Sequence, residues 1–290
     1  MSSTATLATT TRVTAPPAIG LEGDPSLVFQ PAVDLATGRL LGFEALLRWH
    51  DPAGQLILPG DLIPWAEQHG HMTALNAWVL HEACAQAARW PSNLQVAVNC
   101  SLFQLRRGEA ADAAADALAS SELNPDLLTV EVSDGVVDDQ GAAADLEAMA
   151  RLGVQLTLDD VTSGQLALEP LHRHVVNTMK IDGSVVAALA TPGGSGRQAV
   201  ETIVALCRSI GICTVAEAVE SAAQVEVLRD LRVDVGQGYY FSPPLSADDA
   251  MWLASMNPLP VFAMALPDAT APDATLPDAT VPDATAEVPS

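Results

Sequence analysis

The chain has 290 residues, of which 49% are hydrophobic, and this is enough for one large domain with a substantial core. Its formal net charge of -23 excludes direct binding to a nucleic acid polymer or to an anionic membrane unless cations intervene. The four cysteines form no C-x-x-C pair, which argues against a zinc ribbon or a disulfide framework. No apolar run reaches membrane-spanning length and no secretory leader is recognisable, so we expect a cytoplasmic protein.

The two ends of the chain differ in composition from its centre. Residues 1–24 are polar and contain proline, and residues 259–290 include four consecutive Pro-Asp-Ala-Thr repeats. Proline every five residues prevents a continuous helix, so we expect both ends to be disordered. Residues 25–258 are therefore predicted to form the folded domain.

Between these ends, short apolar segments alternate with longer segments of helical period. Eight strands joined by helical crossovers predict an α/β fold of the (β/α) barrel type, with a doubly wound open sheet as the alternative. Helices are predicted at 61–90, 102–120, 141–152, 195–210 and 221–231. The predicted strands are 28–33, 40–47, 94–98, 127–132, 154–158, 175–181, 212–216 and a final run at 238–241.

Most predicted strands carry or end in a residue with an oxygen donor. In a (β/α) barrel the C-terminal ends of the strands meet at one mouth, where catalytic groups collect. Each carboxylate taken singly is explained as a solvated loop residue or a helix cap, but together they favour a hard cation such as Mg²⁺ or Mn²⁺. The candidate ligands are Glu44, Asn99, Glu131, Asp159, Asp160 and Glu217.

The segment Glu44-Ala45-Leu46, followed by Arg48, resembles the signature of the EAL domain family. The resemblance covers about residues 27–250, and further family motifs follow in the family's order. These are Phe29-Gln30-Pro31, Val98-Asn99-Cys100-Ser101, Glu131-Val132-Ser133-Asp134, Asp159-Asp160, Lys180-Ile181-Asp182, Ala216-Glu217-Ala218-Val219-Glu220 and Gln237-Gly238-Tyr239-Tyr240-Phe241.

The resemblance implies a (β/α)8 TIM-like barrel whose first strand is antiparallel to the others. It also implies a phosphodiesterase that holds extended cyclic di-GMP across two ions, Mg²⁺ or Mn²⁺, and releases linear pGpG. A homodimer is the implied assembly. The alternatives are a catalytically silent cyclic di-GMP receptor or protein scaffold, and a barrel enzyme with another phosphorylated substrate.

Roles for individual residues are implied by the same resemblance. Glu44, Asn99, Glu131 and Asp159 would hold one ion, and Asp159 would bridge to a second ion held with Asp160 and Glu217. Lys180, Glu217 and Gln237 would orient the attacking water and balance charge. The substrate would contact Gln30, Leu46, Arg48 and Asp182.

The sequence departs from the family after Asp160, where relatives read Phe-Gly-Thr-Gly-Tyr-Ser-Ser-Leu. Here the segment begins Val161-Thr162, so a residue with a side chain replaces the first glycine. Asp134 and Glu220 would anchor this loop, and Asp134 is one methylene shorter than the usual glutamate. Ala218 also replaces a glycine. These changes predict low turnover while leaving every candidate ligand in place.

Overall fold

The computed structural model describes residues 22–91, 93–133, 136, 139–162, 176–190 and 195–256. Its nine strands are β1 (Asp24–Asp34), β2 (Leu40–His50), β3 (Leu56–Ile57), β4 (Gln95–Asn99), β5 (Leu128–Ser133), β6 (Gln155–Val161), β7 (Thr178–Ile181), β8 (Cys213–Ala216) and β9 (Val235–Gln237). Its helices are α1 (Pro59–His69), α2 (Met72–Ala87), α3 (Leu102–Arg107), α4 (Ala110–Ser121), α5 (Ala143–Leu152), α6 (Gly183–Ala187), α7 (Ser195–Ile210), α8 (Ala222–Asp230) and α9 (Ala247–Met256).

Eight of the strands close into a barrel, which confirms the predicted fold class. The order is β1-β9-β8-β7-β6-β5-β4-β2, and β1 pairs with β2 to complete the ring, while β3 adds to β2 outside it. Strand β1 is antiparallel to both neighbours, whereas β2 and β4–β9 run parallel to one another. The C-terminal ends of these parallel strands therefore gather at one mouth.

The side chains of a barrel strand alternate between a side that packs against the helices and the opposite side. On β2, Phe43, Ala45, Leu47 and Trp49 are buried on the side that packs against helices. Phe43 meets Trp90 with ring centroids 4.8 Å apart, within the core that surrounds the barrel. The intervening positions from 44 onward point to the other side, because successive strand residues face opposite ways.

The predicted helical segments are helical in the structure, but two segments predicted as single helices are each divided into two. The segment predicted as one helix over 61–90 forms α1 and α2, separated at Gly70, whose φ is 75°. The segment predicted over 102–120 is likewise divided into α3 and α4 at Gly108, with a φ of 70°. Glycine adopts this left-handed conformation without steric cost and ends each first helix.

The predicted last strand at 238–241 was wrong, because β9 ends at Gln237 and the following residues form a turn. Gly238 has a φ of 148°, and a side chain there would collide with the backbone of Val219. A glycine in this conformation turns the chain out of the strand.

The helices of the described segments include none that is both long and apolar enough to span a membrane.

Candidate active site

The ammonium group of Lys180 lies at the centre of the barrel mouth, where four strand-borne carboxylates surround it. Its Nζ atom is 2.6 Å from Glu217, 2.9 Å from Glu131, 3.2 Å from Glu44 and 3.4 Å from Asp159. The Lys180 side chain is only 2% exposed, so these contacts are shielded from solvent. The sequence motifs from β2, β5, β6, β7 and β8 thus converge on a single cluster.

Two side-chain amides complete this cluster and orient Glu44. Asn99 Nδ2 donates to one carboxylate oxygen of Glu44 at 2.8 Å, and Gln237 Nε2 donates to the other at 2.7 Å. Gln237 Nε2 also lies 3.2 Å from Oε1 of Gln30 on β1. Both oxygens of Glu44 are therefore fixed by donors from β4 and β9.

The electrostatics of the cluster show an excess of negative charge. Burial opposes ionisation of Glu44, but Lys180, Gln237 and Asn99 together lower its pKa. Burial and the neighbouring Glu44 raise the pKa of Glu131 well above its usual value. Burial raises the pKa of Glu217 to about 8, against the opposing effect of Lys180. Burial and mutual repulsion therefore oppose full ionisation of these carboxylates, and one ammonium does not offset this completely.

The carboxylates around Lys180 favour its charged form. Burial alone would lower this pKa, but Glu131, Glu217 and the other carboxylates raise it well above the ordinary lysine value. The four neighbouring carboxylates therefore favour the ammonium form of Lys180 over the neutral amine.

A second acidic group lies beside the first and is more open to solvent. Asp159, Asp160 and Glu217 each offer a carboxylate oxygen, and these oxygens lie within 4.8 Å of one another. Asp160 has a φ of 60°, a conformation that most residues avoid, and its N–H donates to Asp159 Oδ1 at 2.9 Å. This turn at the end of β6 presents the two aspartates together, and the group could hold a metal ion.

The candidate substrate residues of β2 lie in a row leading away from the carboxylates. Glu44, Leu46 and Arg48 occupy alternate positions and so share one face. Arg48 is partly buried, donates to the carbonyl of Leu47 at 2.9 Å and forms no ion pair with any carboxylate of the described residues. A partly buried guanidinium in this state is suited to an external anion.

The remaining predicted residues lie in different settings. Asp182 caps α6 through the backbone N–H of Ser184, at 3.0 Å, and also accepts from the Ser184 hydroxyl. Glu220 is exposed, and its backbone N–H donates to Gln224. Asp134 and the loop from 163 to 175 lie outside the described residues, so the loop-anchor role of Asp134 and Glu220 stays a prediction.

One residue near the site was missed by the sequence reasoning. Tyr239 follows Gln237-Gly238 and is 50% exposed. Burial lowers the pKa of Arg48, and Tyr239 opposes this effect electrostatically. The signal for it was present, because an aromatic residue two positions after a glutamine at the end of a barrel strand lies near the barrel mouth.

Fold and site together define a class: a TIM-like barrel whose mouth carries an acidic cluster arranged around a buried lysine, with oxygen donors that could hold a cation. A comparison with protein families identifies which such barrel this is, since the EAL domain profile matches residues 17–244. The chain belongs to the EAL domain family.

Named relatives agree with this assignment. The oxygen sensor protein DosP of Escherichia coli is 34% identical over 242 residues, which cover 81% of this chain and 30% of DosP. MucR of Pseudomonas aeruginosa, a bifunctional diguanylate cyclase/cyclic di-GMP phosphodiesterase, is 34% identical over 231 residues, which cover 78% of this chain and 34% of MucR. The chain thus spans about a third of the length of these curated relatives.

A solved structure shows the same architecture. The MucR phosphodiesterase of Pseudomonas aeruginosa in complex with c-di-GMP superposes with a TM-score of 0.73 at 33% sequence identity. The match covers 77% of this chain and 93% of that one.

Proposed function

We propose that this protein is a metal-dependent phosphodiesterase that hydrolyses cyclic di-GMP to linear pGpG. The observation that carries the proposal is the cluster of Glu44, Glu131, Asp159 and Glu217 around Lys180 at the barrel mouth. Membership of the EAL family and the likeness to a phosphodiesterase solved with c-di-GMP support the substrate.

The donor set fits two divalent cations. All the donors are carboxylate or amide oxygens, the ligands that Mg²⁺ and Mn²⁺ prefer. Burial and mutual repulsion raise the pKa values of Glu131 and Glu217, and a cation held between these carboxylates would favour their ionised forms. Glu44, Asn99, Glu131 and Asp159 would hold one ion, and Asp159, Asp160 and Glu217 the other. Bound there, such ions supply Lewis acidity and acidify water near the phosphodiester.

The chain's own residues would hold and move charge around the reacting phosphate. Lys180 keeps a positive charge beside the ligands and offsets the negative charge that grows as the phosphorus gains a fifth oxygen. Glu217, whose carboxylate lies 2.6 Å from Lys180 Nζ, would help to orient the attacking water. Gln237 fixes the orientation of Glu44 through its 2.7 Å hydrogen bond.

The substrate would extend from the carboxylates along β2. Arg48 would bind a phosphate oxygen, since a guanidinium offers paired donors. Leu46, which is partly buried between Glu44 and Arg48, would contact the ribose or base. Gln30 would present its amide group to a guanine edge, while its Oε1 accepts from Gln237. Asp182 would contact the substrate from the start of α6.

The test is product formation by the purified chain in Mg²⁺ or Mn²⁺, with pGpG separated by chromatography. Glu44→Gln and Asp159→Asn keep the side-chain size but remove a charged ligand, and each should lower turnover at least about hundredfold. Glu147→Gln is the matched control, because Glu147 pairs with Arg151 on an exposed helix surface. Wild-type rates in either ligand variant would contradict the proposal.

The silent-receptor alternative predicts a different result. Calorimetry with cyclic di-GMP in Ca²⁺ would detect binding, while folded protein in Mg²⁺ and in Mn²⁺ would give no pGpG. Absence of binding as well would overturn both the enzyme and the receptor.

The homodimer, the cytoplasmic location and the disordered ends at 1–24 and 259–290 stay predictions. Light scattering of the purified chain tests the homodimer, and a single species of monomer mass across the micromolar range would contradict it.

A further inference from the structure

A cleft of about 300 Å³ lies at the end of the barrel opposite the carboxylate cluster. It is lined by the turn between β1 and β2 and by the residues that lead into β4, among them Arg39, Leu41, Asn93 and Leu94. These residues lie where parallel strands begin, whereas the carboxylates lie where such strands end. This basal cleft is therefore separate from the candidate active site.

Leu41 gives the basal cleft an exposed apolar side. It is 37% exposed, while its neighbour Leu40 is buried. Leu41 is the extra residue of a β-bulge on β2, because the register with β1 passes from Gly42 to Leu40 without pairing it. A bulge leaves its extra residue out of the ladder and redirects its side chain. With Leu94, which is buried, Leu41 offers a small apolar surface to a ligand.

Arg39 gives the same cleft a positive charge. Its backbone is fixed, because its N–H donates to the Thr37 hydroxyl and its carbonyl accepts from Asp34. Within the part of the chain that the structure describes, its guanidinium makes no hydrogen bond and no ion pair. Asp34 also lines the cleft, but its Oδ1 atom is occupied by two donors of Thr37, at 2.7 and 2.8 Å. An exposed guanidinium beside an exposed leucine is suited to a ligand that is both acidic and apolar.

The chain itself carries a segment of this chemistry. Residues 257–290 contain no lysine or arginine, and an apolar residue precedes Pro-Asp there four times. The apolar residue and the aspartate are two positions apart, as are Leu41 and Arg39. In an extended chain two positions span roughly 6–7 Å, so the two patterns have the same spacing. Proline favours an extended conformation and lowers the entropy that binding costs.

The repeats begin within reach of the basal cleft. Helix α9 packs against β1, whose last residue is Asp34 of the cleft. Residues 257–265 separate the end of α9 from the first repeat, and nine extended residues span roughly 30 Å. Tethering gives the repeats an effective concentration of about millimolar, so a weak contact is sufficient.

We propose that the Pro-Asp-Ala-Thr repeats bind the basal cleft of their own chain, one repeat at a time. The aspartate of the bound repeat pairs with Arg39, and the apolar residue before its proline packs against Leu41 and Leu94. Binding at this end of the barrel holds the acidic repeats away from the carboxylate cluster, where they would compete for cations.

The first measurement changes the barrel and leaves the repeats intact in the full chain. Thermolysin cleaves before apolar residues, so binding should slow cleavage before Leu276, which mass spectrometry follows. Loss of an exposed ion pair weakens a contact by about two- to fivefold, so Arg39→Gln should speed cleavage by up to this factor. Leu41→Ser should act in the same direction. Arg197→Gln is the control, because Arg197 pairs with Glu201 on an exposed helix surface, and it should leave the rate unchanged.

The second measurement changes the repeats and leaves the barrel intact. Its variant combines Asp268→Asn, Asp273→Asn, Asp278→Asn and Asp283→Asn. The amide NMR signals of Leu41 and Leu94 should shift in this variant, and about 0.5 M salt should shift them in the same direction in the wild type, because salt screens exposed ion pairs. The control combines Asp112→Asn and Asp116→Asn on the exposed face of α4 and should leave both signals in place.

Equal cleavage rates in Arg39→Gln and the wild type overturn the proposal, as does an unchanged Leu41 signal in the asparagine variant. An equal increase of the rate in Arg197→Gln assigns the effect to general charge and also overturns it. Cleavage rates that depend on protein concentration, together with a dimer mass by light scattering, place the repeats on a second copy and overturn the intramolecular contact. Neither measurement uses a substrate, so these outcomes are independent of the proposed phosphodiesterase.

Discussion

Ala218 adopts a left-handed backbone conformation, with a φ of 47°, directly after the candidate ligand Glu217. A residue with a Cβ atom in this region costs about 1–2 kcal/mol, because the Cβ crowds the following carbonyl. Glycine at this position removes that strain, but it also destabilises the folded state by about 0.4–1 kcal/mol, because the unfolded chain gains conformational freedom. Ala218→Gly should therefore stabilise the protein by about 0.5–1 kcal/mol, measured by urea unfolding of the chelated protein.

A second substitution makes this prediction sharper. A methyl group on Gly183, the first residue of α6, would lie 2.8 Å from the Cβ of Ala218. Gly183→Ala should cost about 1–3 kcal/mol in the wild type through overpacking. In the Ala218→Gly background the clash disappears, and alanine in a helix is favoured by up to about 1 kcal/mol over glycine. The two substitutions should thus be coupled by at least about 1 kcal/mol.

Glu122→Gly is the matched control, because Glu122 is exposed at the end of α4 with a φ of 57°. It should give a similar gain in stability without coupling to Gly183→Ala. Destabilisation by Ala218→Gly, or additive effects of Ala218→Gly and Gly183→Ala, would refute the reasoning.

Three further predictions concern charge and burial. Lys180→Met leaves four carboxylates without their ammonium and should lower the free energy of unfolding of chelated protein by about 3–5 kcal/mol at pH 8. This loss should be smaller at pH 5.5, because the carboxylates take up protons, and equal losses in urea unfolding at both pH values would contradict the prediction. Because burial raises the pKa of Glu217 to about 8, Mn²⁺ binding at pH 7 should release protons, and the affinity for Mn²⁺ should increase as the pH rises to 8. Calorimetry in two buffers of different ionisation enthalpy measures this proton release. The same binding heat in both buffers would contradict the prediction. Burial raises the pKa of the four thiols to about 11 or 12. Ellman's reagent at pH 8 should therefore react slowly with the native protein, whereas all four thiols should react rapidly after denaturation. Four fast-reacting thiols in the native protein would contradict their burial.

The sequence was sufficient to predict the barrel and the convergence of its strand ends. Several of the parallel strands are short and apolar and carry or are followed by a polar residue near their C-terminal end, so the parallel order determines where Asn99, Glu131, Asp159 and Glu217 must meet. The position of Lys180 at the centre of these groups is not visible in that pattern. It depends on how far a buried side chain reaches across the barrel, which only the packed structure defines.

Other features required the folded backbone. The sequence shows that Ala218 replaces a glycine, but its positive φ and its contact with Gly183 arise only when the ends of β7, β8 and β9 pack together. The final strand was misplaced because Tyr239, Tyr240 and Phe241 have high strand propensity, and Gly238 overrides it by turning the chain. Local preference alone does not reveal such a turn.

The central claim, a two-ion phosphodiesterase specific for cyclic di-GMP, is tested most directly by following pGpG formation while Mn²⁺ is added back to chelated protein. The predicted result is no product without metal, product that rises with Mn²⁺ and saturates, and complete loss on renewed chelation. A folded wild-type protein that forms no pGpG at any Mn²⁺ concentration, or that forms it equally well under chelation, would contradict the claim.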